Sequence, residues 1–402
     1  MWYARAMPRF EPFAGLRYDP SVPLDLVIAP PYDVVDADRR EELAARHRAN
    51  AIHVELPAED PARGLDRYRA AAALLEAWVD EGLVLRDAAP AFYAYRMRTP
   101  EGVVTTGVIG ALYCEPPGEG ILPHEQTIPK DKSDRLDLLR ACRANLSPIW
   151  GLSLSAGLAK AYEPTDLPDA EATDDDGVVH SLWILDDPET MAAITEGVAQ
   201  SPVVIADGHH RYETALAYQA ERRQDAQEAP GGYDAVMALV VELADDQLSV
   251  GPIHRTLSGV PEGVDLADAF GRWFEVVHAG PADEQLVSAV AESQALALVA
   301  GGSLYLLTPR PEAYEEAGSD LDASVVALAV DGIEGAVTTH HHDVPSAMAA
   351  LGRGEAQAAL LLRPVTVAQI GDWAHARRRM PPKSTYFFPK PRTGMVFRPV
   401  ED

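Results

Sequence analysis

The chain has 402 residues, 47% of them hydrophobic and 24% charged, a composition that fits a folded globular protein and excludes a disordered or fibrous one. Its 34 basic and 62 acidic residues leave a net charge of −28, which repels nucleic-acid backbones and anionic membrane surfaces, so neither partner is expected. A chain this long exceeds one ordinary core, and two or three packed units are expected.

The N-terminus MWYARAMPRF lacks the apolar run of a signal peptide, and no stretch of about 18 uninterrupted apolar residues occurs, so a cytoplasmic protein is expected. LDLVIAPPYDVVD, residues 24–36, reads as a strand stopped by Pro30 and Pro31, which remove two ladder donors. NAIHVELP (50–57) reads as a second strand. Residues 65–83 are rich in helix formers with an apolar stripe, and Gly82 suits the C-terminal cap. AFYAYRMRT and GVVTTGVIGALYCE resemble two strands of a hairpin. Cys114 and Cys142 have no metal-ligand spacing and read as reduced structural thiols.

A polar loop holding PHEQTIPKDK leads to a helix from Ser133 and a strand near Ile149. Residues 162–178 are acidic and poor in large apolar side chains, which suggests a surface excursion without core. VVIADGHHRYETAL (203–216) is a short apolar strand running through an Asp-Gly turn into a helix. Residues 233–257 read as two strands joined at ADDQ, and 265–292 as helical. GSLYLLTPR and AQAALLLRPV are late strands, TVAQIGDWAHARRRM is a final helix, and no fixed-period repeat is present. The fold class expected is mixed α/β in three parts: an α+β unit over 1–115, a catalytic unit over 116–260, and a C-terminal α/β unit over 261–402.

Three stretches concentrate chemistry. In the turn of 203–216, a helix start presents unpaired N–H groups and a positive dipole end, suited to a phosphate or carboxylate, and Arg211 can add a bidentate contact. The alternative is that Asp207 caps a helix and the histidines lie on the surface. In PHEQT, a zinc-protease reading of His124 and Glu125 fails because residue 128 is Ile where a histidine is required. Glu125 remains as a base or magnesium ligand, with Lys130, Lys132 and Arg135 nearby; a solvated charged loop is the rival reading. Third, residues 380–397 carry Lys383, Lys390 and Arg392 just after Arg377–Arg379, the densest basic stretch of an acidic chain, with aromatics that suggest packing onto a domain. GPIHRT (His254, Arg255) reads as a structural pair and THHHDVP (340–343) as a polar turn. Neither a G-x-x-x-x-G-K-[ST] nor a G-x-G-x-x-G motif is present, and G-x-S-x-G is also missing.

RFEPFAGLRYDP, APPYDVVD, PHEQT, DRLDLLRACRANLSPIWGL, ADGHHRYETAL, GPIHR and MPPKSTYFFPKPRTGMVF resemble, in order, the blocks of the bacterial and archaeal family known as domain of unknown function 1015. The D-G-H-H-R string is also similar to the motif of the ParB/sulfiredoxin-like superfamily, which includes free-serine kinases, nucleotide-hydrolysing partition proteins and sulfiredoxin. That resemblance implies a nucleotide-binding core in which Asp207, Gly208, His209, His210 and Arg211 form the phosphate and metal site. Sulfiredoxin chemistry needs a cysteine in the motif, and histidines stand there instead.

These readings lead to a magnesium-dependent small-molecule kinase, with ATP or ADP as donor and a free hydroxyl amino acid, serine first, as acceptor. Glu125 is the expected base and Asp207 the expected Mg²⁺ ligand. Gly208 and the backbone to His210 cradle phosphate, and His209, His210 and Arg211 stabilise developing charge. Lys130, Lys132, Lys383 and Lys390 are candidates for holding the nucleotide or the substrate carboxylate. The rivals are a nucleotide-binding regulator without turnover, and a metal-dependent hydrolase built from His124, Glu125, Asp207, His209 and His210. Whether PHEQT and ADGHHR meet in space decides among these roles.

Overall fold

A computed structural model describes residues 7–125, 133–225 and 229–400. The chain forms two compact units, one of residues 1–249, 373–378 and 389–402, the other of residues 250–372 and 379–388. The strand Val104–Tyr113 pairs with residues 235–240, so the stretches before and after residue 115 contribute to one sheet.

Among the described residues, the first unit is built on a nine-stranded sheet. Its strands are β1 (Phe10–Glu11), β2 (Phe92–Arg98), β3 (Val104–Tyr113), β4 (Ile121–Pro123), β5 (Ile149–Ser153), β6 (Ala170–Thr173), β7 (Val179–Leu185), β8 (Val203–Asp207) and β9 (Ala235–Glu242). They lie in the order β4-β8-β5-β9-β3-β2-β7-β6, with β1 beside β3. The sheet is mixed: β8 runs parallel to β4 and antiparallel to β5, and β9 runs parallel to β5. The hairpin expected around Pro100 is present, with β2 and β3 antiparallel. Apolar side chains of β1, β2, β5, β8 and β9, including Phe10, Phe92, Ile149, Ile205 and Val240, make one core. Tyr212 and Ala215 close it from the helix that follows β8. A second core joins Leu43, Trp78 and Phe397 from the helices at 37–46 and 67–80 and the C-terminal segment.

Two expected strands are helical turns. Leu24–Val27 is α1, ended when Ile28 N–H donates to the Leu24 carbonyl at 3.0 Å before the prolines extend the chain. Ile52–Glu55 is α2: the Asn50 side chain accepts the Ile52 N–H at 2.9 Å, an Asx turn that starts a helix where apolar pattern alone suggests a strand. The acidic stretch at 162–178 is not coreless, since Tyr162 and Val178 are buried and β6 pairs with β7 at the sheet edge. Helices α3 (Arg67–Asp80), α4 (Ser133–Cys142) and α5 (His209–Asp225) match expectation within a few residues.

The second unit carries a six-stranded antiparallel sheet of β10 (His254–Ser258), β11 (Phe274–Pro281), β12 (Ala297–Ala300), β13 (Ser303–Pro309), β14 (Val337–His341) and β15 (Ala358–Leu361), ordered β11-β13-β12-β15-β10-β14. Phe274–Pro281 is a strand inside the region expected to be helical, because adjacent Val276 and Val277 favour extended backbone and β13 is there to pair with it. β10 does not return on β9: the two strands expected to join at ADDQ belong to different units and different sheets. His340 and His341 lie in β14 rather than in a turn.

Candidate functional site

The first unit brings PHEQT and ADGHHR together. Because β4 and β8 run parallel, Pro123, the last residue of β4, stands beside Ile205, two residues before β8 ends, and the segments that follow both strands leave the same end of the sheet. Beyond that pair, His124 donates its backbone N–H and its Nδ1–H to the Ile205 carbonyl, at 3.3 and 2.7 Å. Its ring lies 5.0 Å from that of His209, and its Nε2 is 3.6 Å from Glu125 Oε2. Burial and the neighbouring His209 push its pKa down to about 3, so the imidazole is neutral. Glu125 therefore shares one sheet end with the Asp-Gly turn.

Local backbone geometry builds that turn. The register between β8 and β5 shifts between Ile205 and Asp207, a bulge that breaks the simple alternation and re-aims the end of the strand. Gly208 follows at φ +84°, a left-handed conformation that only glycine adopts without strain. A Cβ there would also lie 3.0 Å from Arg211 Nε, since the Arg211 side chain folds back over the turn. Helix α5 begins at His209, and its first turn contains no acidic residue to offset the helix dipole.

Asp207 is the hub of the charges. Its Oδ1 accepts from Lys390 Nζ at 2.7 Å and its Oδ2 from an Arg211 nitrogen at 2.9 Å. Burial raises the Asp207 carboxyl, but Lys390 and Arg211 outweigh it and hold the group below the usual carboxylate range. Burial likewise disfavours the Lys390 ammonium, and Asp207 with Asp33 more than restores it, leaving the pKa raised. Arg211 also donates to Ser147 Oγ at 3.1 Å and to the Pro148 carbonyl.

Behind Arg211 lies a cavity of about 60 Å³ lined by Glu55, Arg135, Leu138, Ser147, Arg211 and Thr214, among others. Glu55 is 2% exposed and accepts from Ser147 Oγ at 3.2 Å. Burial pushes its carboxyl up, with Arg135 and Arg211 opposing. Arg135 donates to the Glu55 carbonyl at 2.8 Å and stacks 4.4 Å from the centre of the Tyr32 ring. Glu55, Ser147, Tyr32 and Asp33 were not singled out by motif reasoning. The available signal was the blocks APPYDVVD, NAIHVELP and NLSPIWGL, each with a polar side chain inside an apolar run.

Of the expected site residues, Asp207, Gly208, His209, Arg211 and Lys390 converge, with Glu125 at the adjoining strand end. His210 turns toward Glu213, its Nδ1 3.7 Å from that carboxylate. Asp207 does not fit the role of magnesium ligand in this arrangement, because each of its oxygens already accepts from a cation. Arg211, 10% exposed and bonded to three partners, positions the turn rather than reaching outward. Among the described residues no group of three or more His, Cys, Asp or Glu side chains is placed to hold a metal, so the five-residue set of the hydrolase reading does not form a metal site. Lys130 and Lys132 lie outside the described residues. Lys383 belongs to the second unit. Arg392, from the same basic stretch as Lys390, is paired with Asp174 and Asp176. Among the described residues no helix is long and apolar enough to cross a membrane.

A mixed α/β unit with a cationic strand-to-helix turn at one sheet end is the class this architecture defines. The chain belongs to the family described as protein of unknown function DUF1015, whose model matches residues 10–326. No curated protein matches its sequence. Similar solved structures include a free serine kinase in complex with AMP, at 13% identity and a TM-score of 0.36, covering 70% of this chain and 88% of that one. A conserved hypothetical protein from Pyrococcus furiosus is 13% identical with a TM-score of 0.33, covering 67% of this chain and 87% of that one. SbnI with a C-terminal truncation, from Staphylococcus aureus, is 14% identical with a TM-score of 0.35, covering 68% and 81%. The functional reading rests on the residues of the site.

Proposed function

We propose that this chain is a phosphotransferase that moves the terminal phosphoryl group of ATP or ADP onto the hydroxyl of a free amino acid, serine first. The observation that carries the reading is the meeting of Glu125 with the Asp207–Arg211 turn and Lys390 at one end of the sheet. Phosphoryl transfer requires a positioned hydroxyl, a base near its proton and fixed positive charge around the phosphoryl oxygens. In this scheme the serine oxygen attacks the terminal phosphorus, its proton passes to the Glu125 carboxylate, and the bond from phosphorus to the nucleotide's bridging oxygen breaks. Lys390 and the start of α5 face the phosphate oxygens. Asp207 keeps Lys390 and Arg211 charged and in place, and no step is assigned to a metal held by it.

The test is to incubate the full chain with ATP or ADP, with and without added Mg²⁺, against a panel of hydroxyl amino acids and polyols, and to look for phosphorylated product by mass spectrometry. Phosphoserine is the expected product. No product with any acceptor, together with no nucleotide binding by calorimetry, overturns the reading; binding without product favours the regulator, in which the same turn holds nucleotide without turnover.

A further inference from the structure

The motifs GPIHR, THHHD and PPKS come together within the second unit. Antiparallel pairing of β10 with β14 sets Arg255 directly opposite His340, and pairing with β15 sets it opposite Leu360, so these three side chains share one face of the sheet. Arg255 is 6% exposed. Its guanidinium donates to the Ile253 carbonyl at 3.1 Å and, more weakly, to the Lys383 carbonyl at 3.4 Å. Lys383 takes up a left-handed backbone, φ +58°, where it presents that carbonyl. Among the described residues Arg255 has no carboxylate partner, and burial alone pulls its pKa down to about 10. Asp343 sits nearby but caps the helix Val344–Gly352 through Ser346 and acts on His254, which lies on the other face of β10.

The groups around Arg255 are themselves basic. His340 and Lys383 are exposed, whereas Arg255 is buried beneath them. Burial, then Arg255, Lys383, His341 and His342, push the His340 pKa down to about 4. Arg398, in the first unit, is also buried without a carboxylate; its terminal nitrogens donate to three acceptors, Asn145 Oδ1 and the Ala235 and Gly232 carbonyls, and its Nε makes no hydrogen bond. Arg255 has two carbonyls, and Lys383 adds a further positive charge beside His340. A buried charge held by carbonyl oxygens alone is costly, and added like charge raises that cost; a bound anion removes both terms.

We propose that Arg255, His340 and Lys383 form a second ligand site, separate from the Asp207 turn, that takes the phosphate group of a small molecule. A guanidinium and an ammonium beside an imidazole that a bound anion would protonate suit a dianion better than a carboxylate, and the planar guanidinium offers N–H groups to phosphate oxygens. The exposed positions of His340 and Lys383 leave the approach from solvent open to a small ligand. The site does not depend on the kinase reading.

The experiment titrates inorganic phosphate, and separately ADP and acetate, into the full chain while the His340 ring resonances are followed by NMR. They are assigned with a His340→Ala variant, and the exposed His278 ring serves as reference. Phosphate is expected to shift His340 saturably and raise its pKa, with acetate much weaker. Lys383→Ala should weaken phosphate on the order of tenfold, about the effect of losing one charge-assisted hydrogen bond. ADP binding more tightly than phosphate identifies a nucleotide ligand, and equal affinity a simple phosphate ester; both support the site. No saturable shift at His340, an equal response to acetate, or an unchanged affinity in a folded Lys383→Ala variant overturns it. Failure of this titration leaves phosphoserine formation untouched, and the converse holds.

Discussion

Arg211, in the first turn of α5, and Arg255, in β10, are both largely buried guanidinium groups, yet their surroundings are opposite. Arg211 pairs with Asp207, which also holds Lys390, and Glu55 adds a second buried acid behind it. Around Arg255 the neighbours are carbonyl oxygens, the neutral His340 ring and the Lys383 side chain. The first arrangement compensates its own charge and keeps a fixed geometry before any ligand arrives. The second is completed only by an anion from outside. Preorganisation of this first kind is what a catalytic centre needs, because dipoles and charges already in place do not have to reorganise in the transition state.

Substitutions should separate the two regions. Asp207→Ala leaves Lys390 and Arg211 buried without their acid and should cost about 3–5 kcal/mol in denaturant unfolding of the first unit. Arg255→Met removes a charge that has no acid partner, and should change stability of the phosphate-free chain by no more than about 1 kcal/mol while abolishing the phosphate response at His340. Comparable losses from the two variants would erase the contrast. Gly208→Ala forces a left-handed alanine and displaces Arg211, with an expected cost of about 1–2 kcal/mol and a loss of activity larger than the loss of stability implies.

The pH dependence is smaller and shared. His124 is held near pKa 3 and His254 and His340 near 4, all depressed from 6.5, so the unfolded chain binds more protons between those values. Stability contributed by these groups is present above about pH 6.5 and is lost as pH falls toward 4 and then 3. Bound phosphate should flatten the His340 part of that decline, because an adjacent anion favours the imidazolium. A chain whose urea midpoint stays level from pH 7 to pH 4 would contradict the neutral state of these rings.

Much of the central geometry was legible in the chain. An apolar tetrapeptide followed by Asp-Gly and a helical stripe specifies a strand, a left-handed turn and a helix by local chemistry alone, and β8, Gly208 and α5 follow it. Glu55 was less legible, because its segment has the apolar pattern of a strand and becomes helical through a side-chain bond from Asn50. The roles of Asp207 and Arg211 were not legible either. Lys390 reaches Asp207 from a segment 183 positions away, and only the folded chain shows that the acid is occupied by two cations. Composition located the basic C-terminal stretch, but not its division: Lys390 goes to the Asp207 site, Arg392 to Asp174, and Lys383 to the other unit.

The most direct test of the phosphotransfer account is ³¹P NMR of the chain with ATP or ADP and serine, run for the wild type and Glu125→Gln. A new phosphomonoester resonance should grow in the wild type and slow by about 100-fold or more in the variant, the usual loss when a general base is removed. A wild type that forms no phosphomonoester, or a folded Glu125→Gln variant that forms it as fast, would contradict the assignment of this sheet end as the catalytic centre.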